Sequence, residues 1–128
     1  MTILVVEDDE VSRLFLTSYL ERFDCTVHTA INGREGLIAV KRYAPDLIFL
    51  DVMMPVMDGF EMLQSLRRAP EYKNLPVVVT STATEKQNVI RLVQLGITDY
   101  LVKPIKGEQV FKRIEEIVNQ TRLLSRKP

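Results

Sequence analysis

Five short runs rich in Val, Ile, Leu or Thr recur along the chain, at residues 3–6, 26–29, 47–50, 77–80 and 100–102, and each is followed by a segment of helical periodicity. Three of these runs are apolar without alternation. That is the pattern of strands covered by helices on both faces, because a strand with one wet face alternates apolar and polar positions. The pattern reads as β-α repeated five times, with a parallel sheet in the middle.

The intervening segments carry their own punctuation. After the first strand, Leu16, Leu20 and Phe23 fall at i, i+4 and i+7 and predict one buried stripe, with Arg13 and Glu21 outside. Asn32-Gly33 signals the start of a second helix whose inner face is Leu37, Val40 and Ala44, and Pro45 stops it. Asp58 followed by Glu61 is a capping-box pattern opening a third helix, with Leu63 and Leu66 inward. Thr84 and Gln87 repeat that pattern for a fourth, with Val89 and Val93 inward and Gly96 at its end. Val110, Ile114, Ile117 and Val118 supply the stripe of a fifth, after Gly107.

Right-handed crossovers with helices on both faces make a doubly wound α/β sheet the economical topology, with flavodoxin-like strand order 2-1-3-4-5. Chemistry in such sheets sits at the carboxyl ends of the strands, near the switch point between the first and third. Composition narrows the class further. The chain has 128 residues, 17 basic against 17 acidic, 46% hydrophobic and 27% charged. It suits one compact domain able to bury roughly two thirds of its unfolded surface without disulfides or a structural metal. Balanced charge gives no global pull toward nucleic acid or acidic membranes, although Arg122, Arg126 and Lys127 make the end locally basic. The longest apolar stretch, residues 52–57, is interrupted by Pro55 and is far below the roughly 18 residues that span a bilayer. With one cysteine, Cys25, and no signal-peptide pattern, a cytoplasmic location is expected.

The strand ends are unusual. After the first come four consecutive acids, Glu7, Asp8, Asp9 and Glu10. Asp9 and Glu10 suit a helix cap and first turn, whereas Glu7 and Asp8 stand at the strand end itself. The third strand ends in Asp51, so three carboxylates should converge where neighbouring acids repel. Such hard oxygen donors suit a small divalent cation such as Mg²⁺, completed by a backbone carbonyl from the loop after Asp51 and by water. The Met residues of that loop suit packing better than ligation. The fourth strand ends in Thr80-Ser81-Thr82 and the fifth in Tyr100-Leu101-Val102-Lys103-Pro104. Glu7, Asp8 and Asp51 sum to minus three, which a divalent cation and Lys103 cancel. His28 reads as a strand residue, and Cys25 lacks the basic neighbours that activate a thiol.

These residues together resemble the receiver domain of bacterial two-component response regulators, the CheY-like family. The resemblance rests on Val5-Val6-Glu7-Asp8, on Asp51-Val52-Met53-Met54-Pro55 with Met57-Asp58-Gly59, on Thr80-Ser81, and on Tyr100-Leu101-Val102-Lys103-Pro104. Each motif alone is loose; their order after successive strands is specific. It implies a phosphoacceptor receiver domain over residues 1–120, with 121–128 a tail or the start of a linker. It further implies that Asp51 accepts a phosphoryl group from a histidine kinase or histidine phosphotransfer protein. Glu7, Asp8, Asp51 and the Met53 carbonyl would hold Mg²⁺, with Mn²⁺ as an alternative. Thr80 and Lys103 would engage the phosphoryl oxygens.

The resemblance also implies a switch: Thr80 moves toward the phosphoryl group, Tyr100 turns inward, and the Lys103-Pro104 bond is cis. The reshaped face of helix four, strand five and helix five would meet an effector domain, a target protein or a second copy. Direct nucleic-acid or membrane binding is not expected, nor is turnover of a separate substrate. An aspartate-nucleophile phosphatase is the nearest enzymatic alternative, but it places its nucleophile after the first strand and encloses its substrate with a cap. A flavin module of the same topology needs phosphate-cradling Ser, Thr and Gly where this chain has acids. A phosphorylation-independent interaction domain predicts no acid-labile phosphate.

Overall fold

The structure, a computed structural model, describes residues 1–82 and 86–125. Its elements alternate from end to end: β1 (Thr2–Val6), α1 (Glu10–Leu20), β2 (Thr26–Ala30), α2 (Gly33–Tyr43), β3 (Leu47–Asp51), α3 (Gly59–Arg68), a 3₁₀ turn (Pro70–Tyr72), β4 (Val77–Ser81), α4 (Lys86–Gln94), β5 (Asp99–Val102) and α5 (Glu108–Ser125). The five strands form one sheet in the order β2-β1-β3-β4-β5, and every neighbouring pair is parallel. Among the described residues, no helix is long and apolar enough to cross a membrane.

The apolar runs are buried on both faces for a simple reason: successive strand side chains point to opposite sides. Leu4, Val6, Ile48, Leu50, Val77 and Val79 belong to a core shared with α2, α3 and α4. Their alternates Ile3, Val5, Leu47, Phe49, Val78 and Leu101 belong to a second core shared with α1 and α5. Three caps follow the sequence. Asp9 accepts from the Ser12 N–H, Asn32 accepts from the Glu35 N–H, and Asp58 and Glu61 close a reciprocal capping box. Thr84, of the expected fourth capping pattern, lies outside the described residues, as do Arg126 and Lys127.

Two expectations about helix faces need correction. Val93 does not point inward: it is exposed, and Leu92 is the α4 residue that is fully buried, while Val89 is half-buried. Apolar positions surround α4, so spacing alone picked the wrong line; one residue is a 100° turn. Ala44 is likewise exposed, because the chain turns at it into the left-handed region (φ 47°) and ends α2. Leu37 and Val40 do face the core, and Gly36 and Ala39 complete that face in place of Ala44. Phe23 lies beyond the end of α1, yet it packs against the same core as Leu16 and Leu20. His28 is a half-buried strand residue stacked on Tyr43.

Candidate functional site

The site is assembled from the ends of β1, β3, β4 and β5. As the chain leaves β1, the Glu7 N–H still donates to the Ala30 carbonyl of β2 at 3.0 Å, so Glu7 stays at the sheet edge. Glu7 is buried and Asp8 exposed. Asp51 is the last residue of β3, 4% exposed, and stands beside Thr80 in the β3–β4 register. One carboxylate oxygen from each of Glu7, Asp8 and Asp51 lies within 4.8 Å of the others. Beyond β5, the Lys103 N–H donates to the Ser81 carbonyl at 2.9 Å. Its side chain runs back across the edge, where Nζ ion-pairs with Glu7 and stands 3.3 Å from Asp51 Oδ2.

Position explains the electrostatics. Burial first, then the neighbouring Asp51, push the Glu7 carboxyl up to about 7, and Lys103 only partly counters them. Burial also works against the Lys103 ammonium, but the Glu7 hydrogen bond and the charges of Asp51 and Glu7 outweigh it and hold its pKa above the usual value. Lys103 thus remains a cation facing Glu7 and Asp51, two of the three clustered acids. The excess negative charge and the donor set fit a hard divalent ion. An ion bound at roughly 2.0–2.6 Å from each oxygen tolerates oxygens up to about twice that distance apart.

The remaining expected residues are nearby with different relations to the cluster. Thr80 and Ser81 are buried at the end of β4, and the main chains of Thr80 and Val52 are joined by an N–H···O bond of 3.3 Å. Met53 donates its N–H to Asp51 Oδ1 at 3.4 Å while its side chain is 64% exposed. Tyr100 is half-buried on β5, pairs with Val79 one residue before Thr80, and packs against the α2–α3–α4 core. The Lys103–Pro104 peptide bond is cis. Beside Lys103 a groove of about 510 Å³ opens between Val11 and Phe15 of α1 and Pro104 and Ile105, so the edge is reachable from outside.

Two residues at the site were not legible as such. Gly59, one position of a loose motif in the sequence, packs so closely that a Cβ there would stand 2.5 Å from the Asp51 carbonyl oxygen. Arg13, expected on the solvent side of α1, instead turns back: its Nη1 donates to the carbonyls of Glu7 at 2.9 Å and Asp8 at 3.3 Å. Helical periodicity assigned it to the polar face, and only the path of the β1–α1 turn brings those carbonyls within reach.

Residues 3–115 match the response regulator receiver domain family. The chain belongs to that family. It is 34% identical over 119 residues to the transcriptional regulatory protein AfsQ1 of Streptomyces coelicolor, a match covering 93% of this chain and 52% of that protein. Among solved structures it is similar to the chemotaxis protein CheY4 of Vibrio cholerae, with TM-score 0.82, 32% identity, and coverage of 91% of this chain and 97% of that one. It is similar also to the Mn²⁺-bound form of the response regulator Rcp1, with TM-score 0.78, 28% identity, and coverage of 91% and 90%. This chain spans about half the length or less of the curated relatives it matches. It is a CheY-like receiver domain of two-component signalling, a signalling unit in a family that binds divalent metal.

Proposed function

We propose that this receiver domain is a phosphorylation-activated switch in which Asp51 accepts a phosphoryl group from the phosphohistidine of a histidine kinase or histidine phosphotransfer protein. The observation that carries the reading is the meeting of Glu7, Asp8 and Asp51 at one sheet edge with Lys103 set against Glu7 and Asp51. Glu7, Asp8 and Asp51, with the Met53 carbonyl, would hold Mg²⁺ or Mn²⁺, which when bound neutralises charge on the phosphoryl oxygens. An Asp51 carboxylate oxygen attacks phosphorus in line, the P–N bond to the donor imidazole breaks, and the imidazole leaves with a proton from solvent. Such a transfer depends on positioning and charge stabilisation more than on covalent chemistry by the protein. Lys103 Nζ, already 3.3 Å from Asp51, donates to an equatorial oxygen, and the Thr80 hydroxyl beside it donates to another.

The phosphoryl group adds charge and three acceptor oxygens. Charge-assisted hydrogen bonds contribute roughly 1.5–3 kcal/mol each. Two of them therefore approach the roughly 5.5 kcal/mol that carries a two-state equilibrium from 1:99 to 99:1. Thr80, Tyr100 and Pro104 are the residues proposed to relay this change to the face of α4, β5 and α5. That face presents Ile90, Val93 and Val102, all substantially exposed, to an effector domain, a target protein or a second copy of the chain.

The test is incubation with Mg²⁺ and a small acyl phosphate, followed by intact mass measurement of the wild type and Asp51→Ala. Acid-labile labelling of the wild type alone is expected. Equal labelling of both proteins overturns the role of Asp51.

A further inference from the structure

Asp8 is exposed, so packing does not orient its carboxylate; the direction of its main chain does. That direction is set at the turn between β1 and α1, and Arg13 reaches back to it from the first turn of the helix. Arg13 Nη1 donates to the carbonyl oxygens of Glu7 at 2.9 Å and Asp8 at 3.3 Å. The Arg13 N–H also donates to the Asp9 carbonyl at 2.9 Å, and the Asp9 carboxylate accepts from the Ser12 N–H at 2.8 Å. The start of α1 therefore holds residues 7, 8 and 9 by three successive carbonyls and one cap.

We propose that Arg13 is a positioning residue for the cation site, its guanidinium tying together the carbonyls of Glu7 and Asp8 so that both carboxylates face Asp51. The inference rests on reading the acidic cluster as a cation site, and it adds a residue that touches neither cation nor phosphoryl group. Two effects of opposite sign act at this position. As a positive charge beside the cluster, Arg13 repels a dication, so its removal should tighten binding. As a tie on the ligand backbone, its removal should loosen binding, as loss of the groups behind metal ligands does. The geometry favours the second, because both bonds go to the main chain of the ligand residues, whereas the charge itself is screened at a partly exposed position.

The sign of the change decides between them. Titration calorimetry with MgCl₂ on the full chain is expected to show affinity lowered about tenfold in Arg13→Met, at the modest end of such effects. Arg13→Lys, which keeps the charge with a shorter reach, is expected to fall between it and the wild type. Tighter binding by Arg13→Met, or equal midpoints in all three proteins, overturns the proposal. A lowered melting temperature in chelator with an unchanged Mg²⁺ midpoint does so too, since it marks Arg13 as a prop of the fold alone. If Arg13→Met does not fold, Arg13→Lys carries the test, with weaker binding expected and an unchanged midpoint overturning it. Wild-type protein with no saturable Mg²⁺ binding would sink the cation reading itself, an outcome distinct from failure of the Arg13 role.

Discussion

Glu7 is where the cost of gathering acids at one edge is most visible. Its carboxyl titrates near 7 in the folded chain, against an ordinary value of 4.5, because burial and Asp51 disfavour the anion. Between those two values the folded state holds a proton that the unfolded chain has released, so this group's contribution to stability is complete below about 4.5 and is lost as pH rises through about 7. Thermal melts of the metal-free protein from about pH 5 to 8 should show the melting temperature falling with rising pH, with a shallower fall in Glu7→Gln. An unchanged slope in Glu7→Gln would assign the effect to another group. The acids at positions 7 to 10 divide by task in the same physical terms. Asp9 lies outside the cluster and caps α1, and the Ser12 N–H holds its carboxyl below the usual range. Glu10 supplies an acid in the first helical turn. That division was legible from the sequence, because helix caps and strand ends favour acids for different reasons.

At the scale of elements, the loop between β3 and α3 is pinned against Asp51. Gly59 begins α3 where an added methyl would meet the Asp51 carbonyl oxygen at 2.5 Å and Val52 Cα at 2.8 Å, both main-chain atoms that cannot swing away. Gly59→Ala should cost about 1–3 kcal/mol in urea unfolding, by forced overpacking, and an unchanged midpoint would show that α3 can shift freely. Ala44 offers the opposite case. It ends α2 at φ 47° and ψ 61°, where a side chain meets its own carbonyl, and it is exposed. Ala44→Gly should stabilise by about 1 kcal/mol, checked by the same unfolding measurement. Neither position shows its conformation in one-dimensional pattern. Ala44 fitted the spacing of an inner face, and Pro45 announced the stop without revealing that the turn falls on the residue before it. The capping box at Asp58 and Glu61 was legible because both partners lie within one helical turn.

Across the whole molecule, Lys103 links the acidic edge to the far strand. Its main-chain N–H is bonded to β4 through Ser81, and its ammonium reaches Glu7 and Asp51. Lys103→Ala is therefore expected to retain Mg²⁺ binding through the three carboxylates but to lose the phosphorylation-dependent change in amide hydrogen exchange of α4 and β5. The same exchange change in the variant would show that the proposed switch does not depend on Lys103. The buried-on-both-faces sheet was legible in local sequence, and its strand order was the economical choice, since apolar runs without alternation and short β-α repeats leave few right-handed topologies. The identity of the edge followed, because parallel strands must all present their carboxyl ends on one side. What only the tertiary structure decided is which groups touch: Arg13 on the Glu7 and Asp8 carbonyls, Leu92 rather than Val93 against the sheet, and Gly59 against Asp51. Those contacts depend on where one element's backbone passes another, a distance of a few ångströms set by packing, and no periodicity within a single segment encodes it.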